Sequence, residues 1–288
     1  MTPSEQPRAG EPVRVSVLLS TKDRADSLAA AIESVLTQEA VELELIVVDD
    51  GSEDHTGEVL ERLSRDDRLR ILINPQSEGL PAALNRAAAE ARGPFLARID
   101  DDDRWIRNDK LARQLAAFEE DSDLVLLGTG YLDEYRREIH NPTDDRGIRR
   151  QMLFRCPFCH PSVMMRASAF RAAGGYDESL SYGEDWELWL RLGSAGRMAN
   201  LELLTVSKAG GEETLSTKNF EHQLHLAVSL AEVHQDAYPG SRRAIWMHRF
   251  SRWFFGHFPV GGRVHLALSR AYRGVFSLEK RNVKPPSH

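Results

Sequence analysis

Cysteine is scarce in this sequence: only Cys156 and Cys159 occur, in a Cys-Pro-Phe-Cys segment. A structural zinc site takes four ligands, and no second pair of cysteines is present to complete one. A redox-active dithiol lies at the start of a helix that follows a strand, and this segment has no such setting. We therefore expect two reduced thiols, packed in a protein of a reducing cytoplasm.

Long apolar runs and an excess of positive charge are also missing. No window of about 18 apolar residues occurs, so we expect no helix that spans a membrane. Residues 1–12 are polar, lack the pattern of a signal peptide and are expected to be a disordered tail. The formal net charge is −7, which argues against general binding to nucleic acid.

The sequence does contain a regular alternation of apolar strands and amphipathic helices. Strands are predicted, in chain order, at residues 13–19, 43–48, 69–73, 95–99, 124–127, 163–165 and 201–206. Helices are predicted at residues 26–38, 59–63, 80–91, 111–118, 186–192 and from 219 onward. This order is typical of an α/β fold with a mostly parallel central sheet and helices on both faces.

Polar clusters follow three of the predicted strands, at the point where each strand ends. They are residues 20–24, residues 49–52 and the acidic run Asp100–Asp103. Parallel strands place such clusters at one edge of the sheet, which is where open α/β sheets bind their ligands. Neither the Gly-x-Gly-x-x-Gly fingerprint of dinucleotide-binding folds nor the Gly-Lys-Ser/Thr of P-loops is present.

The second cluster, residues 49–52, suits recognition of a nucleotide. Asp49 directly follows the strand, and a buried carboxylate there can accept hydrogen bonds from a base or a ribose. Asp50 and Ser52 have two roles open to them: they can contact the ligand, or they can cap the next helix.

The acidic run Asp100–Asp103 suits a divalent cation. Four adjacent like charges repel one another, and a cation that neutralises them offsets this repulsion. In an extended segment Asp100 and Asp102 point to the same side, so one can meet a ribose and the other can meet Mg²⁺ or Mn²⁺ carrying a diphosphate. The alternative is an acidic turn that is simply solvated.

A further acidic pair, Glu184 and Asp185, follows Gly183 just before a predicted helix. The helix dipole favours an ionised carboxylate at Asp185, and such a group in an apolar, tryptophan-lined cleft can act as a general base. The alternative is that Glu184 or Asp185 only caps the helix.

Six segments resemble motifs of the family 2 inverting glycosyltransferases, which have the GT-A fold. They occur in the family's order and cover roughly residues 13–195. Each motif is weak alone, whereas six in order are rarely produced by chance. The segments are Val15–Arg24 (VSVLLSTKDR), Val47–Ser52 (VVDDGS), Gly79–Asn85 (GLPAALN), Ala97–Asp103 (ARIDDDD), His160–Arg166 (HPSVMMR) and Gly174–Leu192 (GGYDESLSYGEDWELWLRL).

The resemblance implies a role for each matching residue. Asp185 is implied to be the catalytic base, and Asp100 and Asp102 are implied to hold a divalent metal ion, Mn²⁺ or Mg²⁺, with the donor. One position departs from the family, because many relatives carry arginine where this chain has Leu84; the nucleobase of the donor is therefore left open. The residues implied to bind the nucleotide sugar are Ser20, Thr21, Asp23, Arg24, Asp49, Asp50, Asp100, Asp101, His160 and Glu184.

The same resemblance implies a GT-A catalytic domain at residues 13–215, followed by a helical, basic extension at residues 216–288. The implied activity is metal-dependent, inverting transfer of a sugar from a nucleotide donor to a hydroxyl of a glycan or lipid-linked acceptor. Bacterial cell-envelope or exopolysaccharide synthesis is the expected setting. Two other classes stay open: a nucleotidyltransferase built on a similar sheet, and a non-catalytic module that binds sugar nucleotides.

The C-terminal part of the chain is basic, since residues 241–288 hold ten Lys and Arg but one acidic residue, Glu279. Between Arg249 and Arg273, aromatic residues are interleaved with Arg and His, as in helices that lie on anionic membranes. The alternative is a helical extension that packs on the catalytic domain. We expect a cytoplasmic protein with peripheral contact to the inner face of the membrane.

Overall fold

The computed structural model describes residues 12–209 and 220–257 of the 288-residue chain. The predicted tail, except for residue 12, and the later part of the predicted extension lie outside these residues. The strands are β1 (Val15–Thr21), β2 (Leu43–Asp49), β3 (Leu69–Ile73), β4 (Phe95–Arg98), β5 (Arg104–Trp105), β6 (Leu124–Leu132), β7 (Glu138–Ile139), β8 (Met164–Arg166) and β9 (Arg197–Ser207). The helices are α1 (Ala25–Leu36), α2 (Thr56–Leu63), α3 (Leu80–Ala89), α4 (Lys110–Glu120), α5 (Asp145–Gln151), α6 (Ala167–Ala173), α7 (Glu184–Ala195), α8 (Phe220–Val233) and α9 (Ser241–His257).

Strands β1 to β4 form the parallel half of the sheet, in the order β3-β2-β1-β4. Their near-continuous apolar sequences suit a sheet that is covered on both faces. One core cluster joins Val17 of β1 and Val47 of β2 to buried residues of α1, α2 and α4. Helix α3 packs on β1 and β2, and its buried Ala83 and Leu84 lie outside that cluster. Helices therefore cover both faces, as predicted.

The sheet becomes mixed beyond β4. Its order continues as β8-β6-β9-β5, and β8 runs antiparallel to both β4 and β6. Strand β9 is parallel to β6, and β5 is antiparallel to β9. The predicted parallel pairing thus holds for β1–β4 and for β6 with β9. Since β4 and β6 point the same way, β1, β2, β4, β6 and β9 all end at one edge of the sheet.

The register of the parallel half fixes where the polar clusters lie. Thr21 at the end of β1 pairs with Asp49 at the end of β2, and Leu18 pairs with Arg98 at the end of β4. The three clusters that follow these strands are consequently neighbours at the carboxyl edge, as the sequence predicted.

The described residues divide into two compact units. The first comprises residues 12–145 and 158–209 and contains the sheet; the second comprises residues 146–157 and 220–257. Residues 146–157, which the sequence placed in the catalytic domain, therefore belong to the second unit. The predicted boundary between residues 215 and 216 lies outside the described residues and stays a prediction.

Two of the expectations drawn from scarce residue types can be compared with the structure. Cys156 and Cys159 are reduced thiols outside any disulfide, and Cys159 is buried. Within residues 12–209 and 220–257, no helix combines the length and the hydropathy needed to cross a bilayer.

Candidate active site

The loops that follow β1 and β2 are tied together by side chains of the first two clusters. Asp23 has a positive φ of 52°, and its Oδ1 accepts a hydrogen bond from the Glu53 amide (2.8 Å). In return the Asp23 amide donates to Ser52 Oγ (2.9 Å), and the Arg24 amide donates to Thr56 Oγ1 (3.1 Å). Asp23, Arg24 and Ser52 therefore hold two neighbouring loops in place at the edge of the sheet.

A pocket of about 360 Å³ opens beside Asp49, a volume within the range of small-molecule sites. Segments at the carboxyl ends of β1, β2 and β3 line it. They are Lys22, residues 49–53 except Asp50, and residues 73–77. Gly51 has a φ of +74°, and a Cβ there would lie 3.0 Å from the backbone of Gln76. A glycine is thus required where two walls of the pocket meet.

Asp49 and Asp50 play different parts in this pocket. Asp49 Oδ1 accepts a hydrogen bond from the Ser52 amide (2.9 Å), and its side chain lines the pocket. Both oxygens of Asp50 are already engaged, by Asn74 Nδ2 (2.6 Å), Ser77 Oγ (2.7 Å) and the amides of Glu78 and Gly79 (2.9 Å each). Burial alone would raise the pKa of Asp50, but these hydrogen bonds outweigh it and lower that pKa. Asp50 therefore shapes the pocket wall, and neither it nor Ser52 caps α2.

Three further residues of the first and third motifs are buried and do not line this pocket. Ser20 and Thr21 end β1 and are buried, whereas Lys22 reaches the pocket. Leu84, which stands where many relatives carry arginine, is fully buried in α3 and cannot supply a contact to a nucleobase.

The acidic run is a turn and not the extended segment that the sequence suggested. The Asp103 amide donates to the Asp100 carbonyl (3.3 Å), and Asp101 and Asp102 form the tip. The expectation that Asp100 and Asp102 share a side because of strand-like alternation is therefore wrong. The chain reverses here because β5 begins at Arg104 and pairs with β9.

Each carboxylate of this turn has its own surroundings. Asp100 forms an ion pair with the Arg98 guanidinium; burial opposes its ionisation, but Arg98 and Lys208 outweigh burial and hold its pKa at about 2. Burial raises the pKa of Asp101 to about 6 and that of Asp103 to about 7, and the charge of Asp100 adds to both. Asp103 Oδ1 accepts a hydrogen bond from the amide of residue 209 (2.8 Å). Asp102 is partly exposed at the tip.

A divalent metal ion fits this donor set only together with a ligand. Within the described residues, no three His, Cys, Asp or Glu side chains are grouped so that they could hold a metal ion unaided. Mg²⁺ and Mn²⁺ prefer oxygen donors, and Mg²⁺ is commonly held by one or two carboxylates plus phosphate and water. The ionised Asp100 and the partly exposed Asp102 match that requirement.

The acidic pair of α7 lies close to the turn. Helix α7 begins at Glu184, directly after Gly183 with a φ of +74°. Asp185 Oδ1 accepts a hydrogen bond from the next amide, that of Trp186 (2.7 Å), and no side chain caps the helix start. Burial raises the pKa of Asp185, and burial together with the Asp185 charge raises the pKa of Glu184 to about 7.

His160 sits between the turn and α7. Its Nε2 lies 2.9 Å from the Tyr176 hydroxyl, and its Nδ1 lies 3.8 Å from Glu184 Oε1. Its ring packs edge-on against Trp189, with the centroids 5.8 Å apart. Burial lowers the pKa of His160 well below its ordinary value, and nearby Arg98 adds to this, so the imidazole is neutral.

The residue that links the two acidic elements is Arg98, which the sequence analysis did not identify. Its side chain is 1% exposed, and it interacts electrostatically with Asp100, Glu184 and Asp185. The structure therefore brings the acidic turn and the α7 pair together around one buried cation. A charged residue inside the apolar strand Phe-Leu-Ala-Arg was the signal in the sequence.

A model described as glycosyl transferase family 2 matches residues 16–173, more than half of the chain. One relative is EpsE of Bacillus subtilis (strain 168), which carries a provisional assignment as a glycosyltransferase. It is 32% identical over 225 residues, which cover 75% of this chain and 80% of EpsE. Chondroitin synthase of Escherichia coli is 26% identical over 212 residues, covering 73% of this chain. The match spans only 31% of that longer synthase.

Solved structures show the same fold. TarS of S. aureus, residues 1–349, matches with a TM-score of 0.67 at 18% identity, covering 92% of this chain and 80% of that chain. Its complex with UDP-GlcNAc matches with a TM-score of 0.64 at 18% identity, covering 76% of this chain and 66% of that chain. Mannosyltransferase PcManGT from Pyrobaculum calidifontis, in complex with GDP-Man and Mn²⁺, matches with a TM-score of 0.62 at 17% identity. The match covers 94% of this chain and 84% of PcManGT.

The motif order, the architecture of the sheet and these comparisons agree. The fold is of the GT-A type, as predicted, with the polar clusters at the carboxyl edge of the sheet. The chain is a member of glycosyl transferase family 2.

Proposed function

We propose that this protein transfers a sugar from a nucleotide donor to a hydroxyl of a glycan or lipid-linked acceptor, with inversion at the anomeric carbon. The observation that carries the proposal is the arrangement around Arg98, which brings the Asp100 carboxylate and the Asp185 carboxylate into one site. The pocket beside Asp49 adds a place for the nucleoside at the same edge of the sheet.

Asp185 is the proposed general base. It takes the proton from the acceptor hydroxyl as that oxygen attacks the anomeric carbon from the face opposite to the leaving diphosphate. One displacement without a covalent sugar–enzyme intermediate gives inversion, whereas retaining glycoside hydrolases typically use a second carboxylate as nucleophile. Partial burial supports this role, because the raised pKa makes Asp185 a stronger base than an exposed aspartate.

Asp100 and Asp102 are the residues proposed to hold a divalent metal ion. When bound there, the ion would supply positive charge to the leaving diphosphate. Asp102 offers a partly exposed carboxylate, while Arg98 keeps Asp100 ionised and fixes its position. The Mn²⁺ in the complex of PcManGT supports the choice of metal for this fold.

The donor and the acceptor are proposed only as classes. TarS and PcManGT were solved with UDP-GlcNAc and GDP-Man, so neither uracil nor guanine is favoured by fold. The buried Leu84 provides no base contact, so selection of the base falls to the pocket beside Asp49. The match to chondroitin synthase supports synthesis of a polysaccharide, and an envelope or exopolysaccharide glycan is proposed as the product.

Product analysis with UDP-, GDP- and dTDP-sugars, each with and without Mn²⁺, tests this function. We expect one donor to raise the melting temperature of the protein, because a ligand that binds only the folded state stabilises it. We expect the same donor to be consumed with release of a nucleoside diphosphate. Release of pyrophosphate would identify a nucleotidyltransferase, and binding without turnover on any glycan acceptor would identify a sugar-nucleotide-binding module.

Peripheral membrane contact through the second unit is a separate part of the proposal. In α9 the residues Ala244 and His248 are buried, whereas Trp246, Phe250 and Trp253 are 68%, 48% and 51% exposed. A shift of two residues turns the helix by roughly 200°, so the exposed aromatic side chains lie opposite the buried side. The helix carries four Arg and no acidic residue. An exposed stripe of aromatic rings among arginines is typical of helices that lie on anionic lipid.

Vesicle flotation tests this contact. We expect the protein to float with vesicles of phosphatidylcholine containing phosphatidylserine, and to float less with phosphatidylcholine alone, because the arginines are attracted by anionic lipid. The double substitution Trp246→Ser and Trp253→Ser should reduce flotation strongly. Tyr135→Ser, which removes a 57% exposed ring from the first unit, is the matched control. Equal flotation of the double variant and the control would rule out the α9 stripe as the contact.

A further inference from the structure

Lys208 follows β9 and is fixed beside the acidic turn by its backbone. The residue before it, Ser207, pairs with Arg104, the first residue after the turn. The Lys208 amide donates to the Leu132 carbonyl at the end of β6 (2.9 Å). The next amide, at residue 209, donates to Asp103 Oδ1 (2.8 Å). Three links therefore hold Lys208 at the carboxyl edge, next to the proposed diphosphate and metal site.

The ammonium of Lys208 has unused hydrogen-bonding capacity. In the part of the chain that the structure describes, its Nζ forms neither an ion pair within 4.0 Å nor a hydrogen bond. Burial opposes its charge, but neighbouring acidic groups, Asp100 and Asp103 among them, outweigh burial and raise its pKa, so Lys208 is cationic at neutral pH. Lys208 is half-buried, and its ammonium offers three N–H donors to a ligand.

We propose that Lys208 is a donor-binding residue whose ammonium contacts the diphosphate of the nucleotide sugar; this rests on the proposed function. The acidic turn by itself repels a diphosphate, because it presents carboxylates to phosphate oxygens of the same sign. A cation that belongs to the chain offsets this repulsion whether or not a metal ion is present. Phosphate oxygens are also the acceptors that a lysine point charge binds most readily.

Lys208 acts on both steps that the site performs. Its charge acts on Asp185 as well as on Asp100, so it is close to both the proposed base and the acidic turn. An ammonium in this place supports binding of the intact donor and stabilises the negative charge that the departing nucleoside diphosphate gains. The competing explanation is that Lys208 only neutralises the acidic turn and stabilises the fold.

Calorimetric titration of Lys208→Met, Lys208→Gln and Lys208→Arg separates these explanations. The probes are UDP, GDP and the nucleosides uridine and guanosine, each with Mn²⁺ and with EDTA. We expect the Met and Gln variants to bind the nucleoside diphosphate about tenfold to a hundredfold more weakly in both conditions, as for loss of a charge-assisted hydrogen bond. Nucleoside binding should be unchanged, and Lys208→Arg should retain most of the diphosphate affinity.

Arg62→Gln is the matched control, because it removes an exposed cation from α2, a helix outside the proposed diphosphate site. A lower melting temperature of Lys208→Gln with unchanged diphosphate affinity would overturn the proposal in favour of the structural role. Weakening that occurs only with Mn²⁺ would overturn it too. Wild-type protein that binds a nucleoside diphosphate through Lys208 but transfers no sugar would leave this inference standing and refute the proposed function.

Discussion

Replacing Asp185 by asparagine is expected to reduce sugar transfer about 10²- to 10⁴-fold, the range that a positioned general base contributes. Asparagine has nearly the same shape and can still accept the hydrogen bond from the Trp186 amide (2.7 Å). What the variant loses is the ability to take the proton from the acceptor hydroxyl. Binding of the nucleoside diphosphate, measured by calorimetry, should be unchanged, because it depends on the Asp49 pocket and the acidic turn.

The control for this variant lies on the same helix. Glu187 also stands in the first turn of α7, and its two oxygens accept hydrogen bonds from Arg191 Nε (2.7 and 3.0 Å). Glu187→Gln therefore replaces a carboxylate by an amide without touching the proposed base, and transfer should continue. Turnover of Asp185→Asn near the wild-type rate, with the same sugar product, would refute the assignment of the base.

The dependence of transfer on pH follows from the two acids at the start of α7, Glu184 and Asp185. Burial is the largest influence that raises the pKa of Asp185, and a base with a raised pKa is ionised only above that pKa. The kcat/KM of the wild type should therefore fall as the pH drops through it, with Glu184 titrating nearby at about 7. Glu184→Gln removes the group that titrates at about 7, so we expect the acidic limb set by Asp185 to persist in that variant.

The helices and strands of the first half were predictable because their patterns are local. Buried residues Leu28, Ile32 and Val35 recur at helical spacing, and α1 lies where the pattern placed it. Strand β3 has the predicted bounds, Leu69–Ile73. The ends of β1, β2 and β4 marked the functional edge, since polar residues follow each apolar run.

The sequence did not reveal features that depend on partners distant in the chain. Strands β5 and β7 have two residues each, too few for any periodicity, and exist only because β9 and β6 pair with them. The bend of the acidic run depends on β5 in the same way. Arg98 and Lys208 were missed as parts of the site because their role comes from acids on other elements, which a local pattern does not show.

Asp50 illustrates how a motif can mislead about a role. Its position beside Asp49 was equally consistent with contact to a ligand and with a helix cap. Both interpretations assumed that Asp50 acts only on its immediate surroundings. The structure shows its oxygens bound to the segment from Asn74 to Gly79, after the next strand. A carboxylate that binds a loop of the neighbouring βα unit can be required at its position as strictly as one that binds a ligand. In both cases the buried partners need a carboxylate in one place.

Replacing Asp102 by asparagine is expected to remove the dependence of donor binding on Mn²⁺. The side chain keeps its size but loses the negative charge that attracts a hard divalent cation. Mn²⁺ should strengthen binding of the nucleoside diphosphate to the wild-type protein, and this gain should fall by about tenfold or more in Asp102→Asn. Titration of the nucleoside diphosphate with Mn²⁺ and with EDTA measures the gain directly, without any need for transfer.

Asp103→Asn is the matched change one residue further along. Burial already raises the pKa of Asp103 to about 7, and its Oδ1 is bound to the amide of residue 209 (2.8 Å). Asparagine can keep that hydrogen bond, so this variant removes a carboxylate of the same turn that faces the protein rather than the proposed metal ion. The gain from Mn²⁺ should survive in Asp103→Asn and be lost in Asp102→Asn. An equal gain in both variants would mean that Mn²⁺ strengthens donor binding without the Asp102 carboxylate, and would refute the assignment of Asp102 as a metal ligand.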